Sequence, residues 1–451
     1  MAKVVIIGAG LTGISTAYHL EQAGFTDYKL YEKEATAGGL CRSIYQDGFT
    51  FDYTGHLLHS NNPYFTTFLH ETIGIDTFNT VNRKSFIYSH NTYTHFPFQS
   101  NLYGLPETVI AECIEGFVSK PKTLKKNANF YDWALHMFGK GITEQFFVPY
   151  QQKIFDYDIH KLSSSWTGRF VPKTTLTDII KGALRPPLQQ EAGYNANFLY
   201  PKSGGIYFWV QRLIQKLKKP IKTQYCVDSI DLTNKIVTFT NGDFEHFDEL
   251  ITTMPLDILL TLIKEPAESS VKKAGKKLLC NSVANFNLGI QNPNLTDKHW
   301  IYLPETQFPH YRIGFYHNFS SSMAPEGCSS LYGEYAYLKK EKSEVKNTID
   351  TAIASTKKLL NISDAQVITQ RVVHIPHAYV IYNPWREKNL PAILEHLTSY
   401  NVHSIGRYGA WKYSSMQEAV LDGKAMAESL LIEKSSLKST YVPQSPKEER
   451  I

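Results

Sequence analysis

The chain has 451 residues, 42% hydrophobic and 20% charged, enough for a large buried core in two or three domains. A formal net charge of +5 with no long basic block argues against a nucleic-acid footprint, and no apolar run is long enough to cross a bilayer. Five cysteines, at 41, 113, 226, 280 and 328, show no CxxC spacing, which argues against a zinc site or a disulfide framework and fits a reducing cytoplasm.

In chain order, "AKVVIIGAGLTGISTAYHLEQAG" predicts a buried strand, a glycine turn and an amphipathic helix, and "YKLYEKE" a second strand ending in an acid. This is the opening βαβ unit of a dinucleotide-binding fold. Gly8, Gly10 and Gly13 form GxGxxG, and Glu32 follows nineteen residues past Gly13, where a ribose hydroxyl needs an acceptor. Gly38, Gly39 and Arg42 come next, a flexible backbone with a cation suited to phosphate or flavin oxygens. His56 and His59 in "YTGHLLHS" raise the question of a metal, but no further ligands accompany them. Residues 83–97 read as short aromatic strands, and 100–190 as helices, including one stretch "NFYDWALHMFGKGITEQFFVPYQQKIF". "CVDSIDLTNKIVTFTNGDFEHFDELITTMP" returns to strands with an Asn-Gly hairpin, and 275–375 reads as strands with one helix. "NVHSIGRYGAWKYSSMQEAVLDGKAMAESLL" closes the chain as strand, glycine turn and helix.

The expected fold is therefore α/β, with a discontinuous Rossmann-like domain (1–82, 200–270 and 396–433) interrupted by two insertions. These are a helical substrate domain (100–195) and an antiparallel sheet domain (83–99 and 271–395), and 434–451 reads as a tail.

The glycine pair after the acid resembles the FAD-binding start of the amine oxidase and protoporphyrinogen oxidase superfamily, so FAD is the expected cofactor, with NAD(P) the alternative. Within that superfamily the chain resembles the UDP-galactopyranose mutases. The resemblance rests on "TGHLLHS", "HFPFQSNLYGLP", "VPYQQKIFDYD", "SSWTGRFVP", "AGYNANFLYPKSGG", "KHWIYLPETQFPHYRIGFYHNFS", "PHAYVIYN" and "IGRYGAWKYSSMQEAV". It implies cofactor contacts from Gly8, Gly10, Leu11, Gly13, Glu32, Gly39, Leu40, Arg42, His56, Val227, Gly406, Arg407 and Met416. It implies substrate contacts from Phe96 stacking on a base, Gln99 on its edge, and Phe155, Asn195, Tyr302, Tyr379 and Tyr413. Arg169 and Arg312 would steady the departing diphosphate, and His56 would shape the flavin pocket. Val380 stands where the family commonly has proline, and Ser414–Gln417 departs from its usual polar run, so the identity of the sugar is less fixed than the cofactor.

The activity so implied is a cytoplasmic, metal-free interconversion of UDP-galactopyranose and UDP-galactofuranose, as in cell-surface polysaccharide synthesis. It is redox-neutral yet needs reduced FAD, with NAD(P)H as a transient reductant. Flavin N5 attacks the anomeric carbon, UDP departs, the opened sugar recloses as a furanose and UDP is recaptured. The alternatives are a flavin oxidase or desaturase performing net oxidation, and a non-catalytic FAD or nucleotide-sugar binding module.

Overall fold

Val4–Ile7 is buried at every residue, as a strand covered on both faces must be, and it lies inside a four-stranded parallel sheet. The strand order is Val402–Ser404, Glu249–Thr252, Val4–Ile7, Tyr28–Tyr31, so the closing segment of the chain joins the opening one through the middle of the sequence. The computed structural model describes residues 3–168, 171–187, 197–264 and 269–439. The first helix, Leu11–Gln22, packs along the closing helix, Met416–Ser439, and Ser15 donates to the carbonyl of Val420. That closing helix continues past 434 into the segment read as tail, and 440–451 lies outside the described residues.

The predicted Asn-Gly hairpin forms between Ile236–Phe239 and Phe244–His246, and Val227–Asp231 completes a three-stranded antiparallel sheet. Val227 and Phe239 share one core cluster with Val5, Ile7 and Tyr31. The helix Pro384–Thr398 carries Pro391 in its interior, which hides it from sequence inspection. Its Leu390 and Leu397 join the same cluster.

A seven-stranded sheet forms the other half of the molecule. Its order is Val367–Ile375, Ser282–Ile290, Ser329–Tyr337, Arg312–Phe315, Trp300–Tyr302, Ser85–Ser89, Thr92–His95. The sheet is antiparallel, as expected, at every pairing but one. Trp300–Tyr302 pairs with Ser85–Ser89 in parallel, because strands so far apart in sequence need no hairpin between them. The long helical stretch is also broken. Gly139 in Phe130–Ile142 adopts φ 76°, and a Cβ there would lie 2.0 Å from the carbonyl oxygen of Gly116 in the helix Glu107–Val118, so these two helices cross through glycine backbone. A π-helical turn, Thr143–Phe147, then leads into Val148–Phe155.

The first turn is equally tight, since a Cβ on Gly13 would sit 2.0 Å from the Gly8 carbonyl oxygen. Gly13→Ala is expected to destabilise the protein by about 1–3 kcal/mol through overpacking, read as a lower urea midpoint.

Candidate functional site

At the nucleotide end, two glycine turns meet. The N–H of Gly38 donates to the carbonyl of Ala9 at 2.8 Å, and a Cβ on Gly39 would lie 3.2 Å from the Gly10 Cα. Gly38 and Gly39 have φ of 120° and 58°, the region that glycine enters without strain. Glu32, at the end of its strand, is buried, and its carboxylate accepts from the N–H groups of Ala9 (2.8 Å) and Glu34 (3.0 Å). Arg42 turns back on the same loop, donating to the Gly39 carbonyl at 2.8 Å, with its guanidinium 5.0 Å from the Tyr53 ring centroid. Gly406 abuts the first helix, where its Cβ would stand 2.8 Å from Thr12 Oγ1. Leu11 and Met416, the first residues of their helices, are buried nearby in one core cluster, and Leu40 packs against the helical core.

In the large sheet, three strands bring Tyr302, Arg312 and Glu334 into one cross-strand row. Arg312 grips Glu334 with both arms of its fork, Nε to Oε2 at 2.5 Å and Nη2 to Oε1 at 2.8 Å. Glu334 is 1% exposed and Arg312 20% exposed, so this is a buried bidentate pair. Rings continue from this row: Phe96 lies 4.9 Å from Tyr302, and Tyr150 meets Tyr302 edge-on at 5.4 Å. Tyr311 meets both Tyr150 and Tyr379 edge-on at 6.3 Å, and Tyr379 stacks on Tyr413 at 6.3 Å and 17°. Phe155 meets Tyr379 edge-on at 6.1 Å. The guanidinium of Arg407 lies 4.9 Å from the Tyr413 centroid and donates to the carbonyls of Ser414 (2.6 Å) and Ala378 (3.1 Å).

His56 sits between the two regions. Burial, then the charges of Arg407 and Arg312, push its pKa down to about 4, so the ring is neutral. Its Nδ1 is buried and has no hydrogen-bond partner. His59 is instead tied to the Asn197 carbonyl at 3.2 Å. Among the described residues, no three His, Cys, Asp or Glu side chains converge as metal ligands.

Sequence reasoning and structure diverge at several residues. Gln99 is buried and gives its amide hydrogen to the Pro172 carbonyl at 2.6 Å, so that donor holds a loop in place. Arg169 and Asn195 lie outside the described residues. Glu334 was missed, although it is the lone acid in the otherwise uncharged strand Ser329–Tyr337. Tyr150 was missed within the segment that supplied Phe155. Two anchors, the buried Asp52 and the half-buried Lys153, were missed as well. Asp52 accepts from Ser43 (2.6 Å), Tyr200 (2.6 Å) and the Ile206 N–H (3.1 Å), tying the loop after the glycine pair to the start of the helix Tyr207–Gln215. Burial nevertheless pushes its pKa up to about 6. Lys153 donates to the carbonyls of Leu303 (2.7 Å), Glu305 (2.6 Å) and His310 (3.3 Å), clamping the helix of Tyr150 to the strand ends that carry Tyr302 and Arg312.

A glycine-rich turn with a buried acid thus stands beside a cluster of aromatic rings and arginines, the arrangement of a dinucleotide-dependent enzyme fold. The sequence profile described as "Flavin containing amine oxidoreductase" matches residues 11–431, and the chain belongs to this family. The backbone superimposes on a crystal structure of reduced UDP-galactopyranose mutase with a TM-score of 0.89 and 28% identity, covering 96% of this chain and 94% of that one. A putative protoporphyrinogen oxidase from Exiguobacterium sp. 255-15 shares the fold at a TM-score of 0.73 and 15% identity, over 96% and 99% of the two chains. Among curated proteins, 4,4'-diapolycopene oxygenase of Methylomonas sp is 23% identical over 337 residues, 66% of this chain and 65% of that protein. Prenylcysteine oxidase 1 of Pongo abelii is 25% identical over 201 residues, 44% and 35% of the two. The chain therefore spans less than two thirds of these curated relatives. No helix among the described residues is long and apolar enough to cross a membrane.

The family implies FAD, and the residues fit it. Glycine turns leave backbone open to a pyrophosphate, the buried Glu32 stands where a ribose would lie, and the orphaned Nδ1 of His56 awaits a partner.

Glu334→Gln would strand the charge of Arg312 in the sheet. It is expected to cost about 3–5 kcal/mol in urea unfolding, the penalty for breaking a buried pair from one side. pH acts through the histidines. His56, His59 and His299 are held near 4 and His310 near 3, all mainly by burial. The folded state therefore binds fewer protons than the unfolded one. The stability present above about pH 6.5 is lost as pH falls toward 4, with Asp52 opposing over part of that range. Unfolding free energy of the FAD-free protein should fall across that window, with a shallower slope in His56→Gln.

Proposed function

We propose that this protein is a nucleotide-sugar mutase that interconverts pyranose and furanose forms of a UDP-galactose-like substrate. The observation that carries the reading is the cross-strand row of Tyr302, Arg312 and Glu334, facing the Arg407–Tyr379–Tyr413 cluster through Tyr150 and Tyr311. A diphosphate needs cations and neutral donors together, and these residues supply both. A purely lipidic substrate, such as the names of the curated relatives evoke, would make no use of buried guanidinium.

Reduced FAD, when bound, would supply the electron pair directed at the anomeric carbon. Gly8, Gly10, Leu11, Gly13, Glu32, Gly39, Leu40, Arg42, Val227, Gly406, Arg407 and Met416 would hold it. Arg312 stabilises negative charge on the departing diphosphate, and Glu334 fixes the plane and height of its fork while leaving N–H groups for the ligand. Tyr379 and Tyr413 complete the diphosphate's hydrogen bonds without adding charge. Phe96 and Phe155 line the base and sugar, and Arg169 and Asn195 are assigned by resemblance. Burial of His56 as the neutral ring keeps a third positive charge away from the cofactor and leaves Nδ1 able to accept or donate one proton.

The test is direct. Dithionite-reduced protein incubated with UDP-galactopyranose should yield the furanose by chromatography, with no turnover by the oxidised protein and no net oxidation. Arg312→Ala should lower kcat/KM by roughly 10²–10³. Substrate-dependent bleaching of oxidised flavin under anaerobic conditions, without furanose, would establish the oxidase or desaturase reading instead.

A further inference from the structure

Lys153 holds two walls of the aromatic cluster together. It lies one helical turn past Tyr150 on the helix Val148–Phe155, so the two side chains share a face. Its half-buried side chain reaches the connection between the strands Trp300–Tyr302 and Arg312–Phe315. There Nζ donates to the carbonyls of Leu303 (2.7 Å), Glu305 (2.6 Å) and His310 (3.3 Å). Three carbonyls around one nitrogen match the three N–H donors of an ammonium, and no other side chain supplies three from a single atom. Leu303 directly follows Tyr302, and His310 stands two residues before Arg312, so the ammonium grips both legs of the connection.

Two other ties on this helix leave that connection alone. Asn281, just before the strand Ser282–Ile290, donates to the Ile154 carbonyl at 2.6 Å. Asp156 accepts from the N–H of Leu338, just past the strand Ser329–Tyr337, at 2.7 Å. Arg312 is held separately, by Glu334 within the sheet. What Lys153 fixes is therefore the spacing of rings: Tyr150 on the helix meets Tyr302 at 5.4 Å and Tyr311 at 6.3 Å on the strand side.

We propose that Lys153 is a positioning residue that sets affinity for the nucleotide sugar by fixing the distance between the Tyr150–Phe155 helix and the Tyr302 strand. The inference rests on the mutase reading, which supplies the ligand. Lys153 acts through the rings and does not touch the substrate. Because Arg312 keeps Glu334 as its own partner, losing the ammonium loosens the ring walls and leaves the fork in place. Substrate and transition state then lose the same contacts, which raises KM and spares kcat.

The experiment is steady-state turnover of UDP-galactopyranose by the FAD-loaded, dithionite-reduced protein, wild type against Lys153→Met, which keeps the stem and removes every donor. KM should rise about tenfold, as a displaced wall implies, with kcat within about twofold of wild type. A merely structural role gives the opposite split, because fewer folded molecules lower kcat and leave KM unmoved. An unmoved KM overturns the role of Lys153 and leaves the mutase reading intact. If Lys153→Met does not retain FAD, Lys153→Gln, which keeps two N–H donors, is measured in its place. Its KM should rise about threefold. An unmoved KM there, or loss of FAD in that variant too, overturns the proposal by assigning Lys153 to folding alone. Wild-type protein that neither converts the sugar nor binds UDP in calorimetry overturns the mutase reading, and this inference with it.

Discussion

Parallel pairing around Val4–Ile7 governs everything else in this molecule. That strand is flanked by Tyr28–Tyr31 and Glu249–Thr252, and the latter by Val402–Ser404. Parallel neighbours cannot be joined by a tight turn, so the chain must leave the sheet and return between each pair. The two longest excursions build the seven-stranded sheet and the helices packed on it. Because they start and finish at the same sheet, Gly406 is pressed against Thr12, and the two ends of the polypeptide share one nucleotide-binding surface.

Charge is distributed in the chamber with some economy. Arg312 is matched by Glu334 within the sheet, whereas Arg407 is solvated by carbonyls and phenol faces. His56 responds to both by remaining neutral. The tyrosines lie between these charges, and burial holds Tyr150, Tyr311 and Tyr379 in their protonated, hydrogen-donating form.

Local signals in the sequence were legible and non-local ones were not. The glycine turn, the acid at Glu32 and the strand–turn–helix at Gly406 are each written in contiguous residues, and each is found as expected. Glu334 could not be read that way. The strand Ser329–Tyr337 is buried on both faces, so its pattern does not alternate, and nothing marks which acid meets which arginine until the register is known. The same holds for the parallel pairing of Trp300–Tyr302 and for the carbonyls that Lys153 gathers. Pro391 hid a helix, and the contact between Gly139 and Gly116 split one that seemed continuous, because both outcomes are decided by tertiary packing.

The pairing of Arg312 with Glu334 has a bearing on selectivity. On the mutase reading, an Arg312 fork already neutralised by its own scaffold would leave long-range pull on anions to Arg407, so capture would rely on short-range fit as well as on electrostatic steering. The chamber would separate candidates by where their oxygens fall within the ring of aromatic walls.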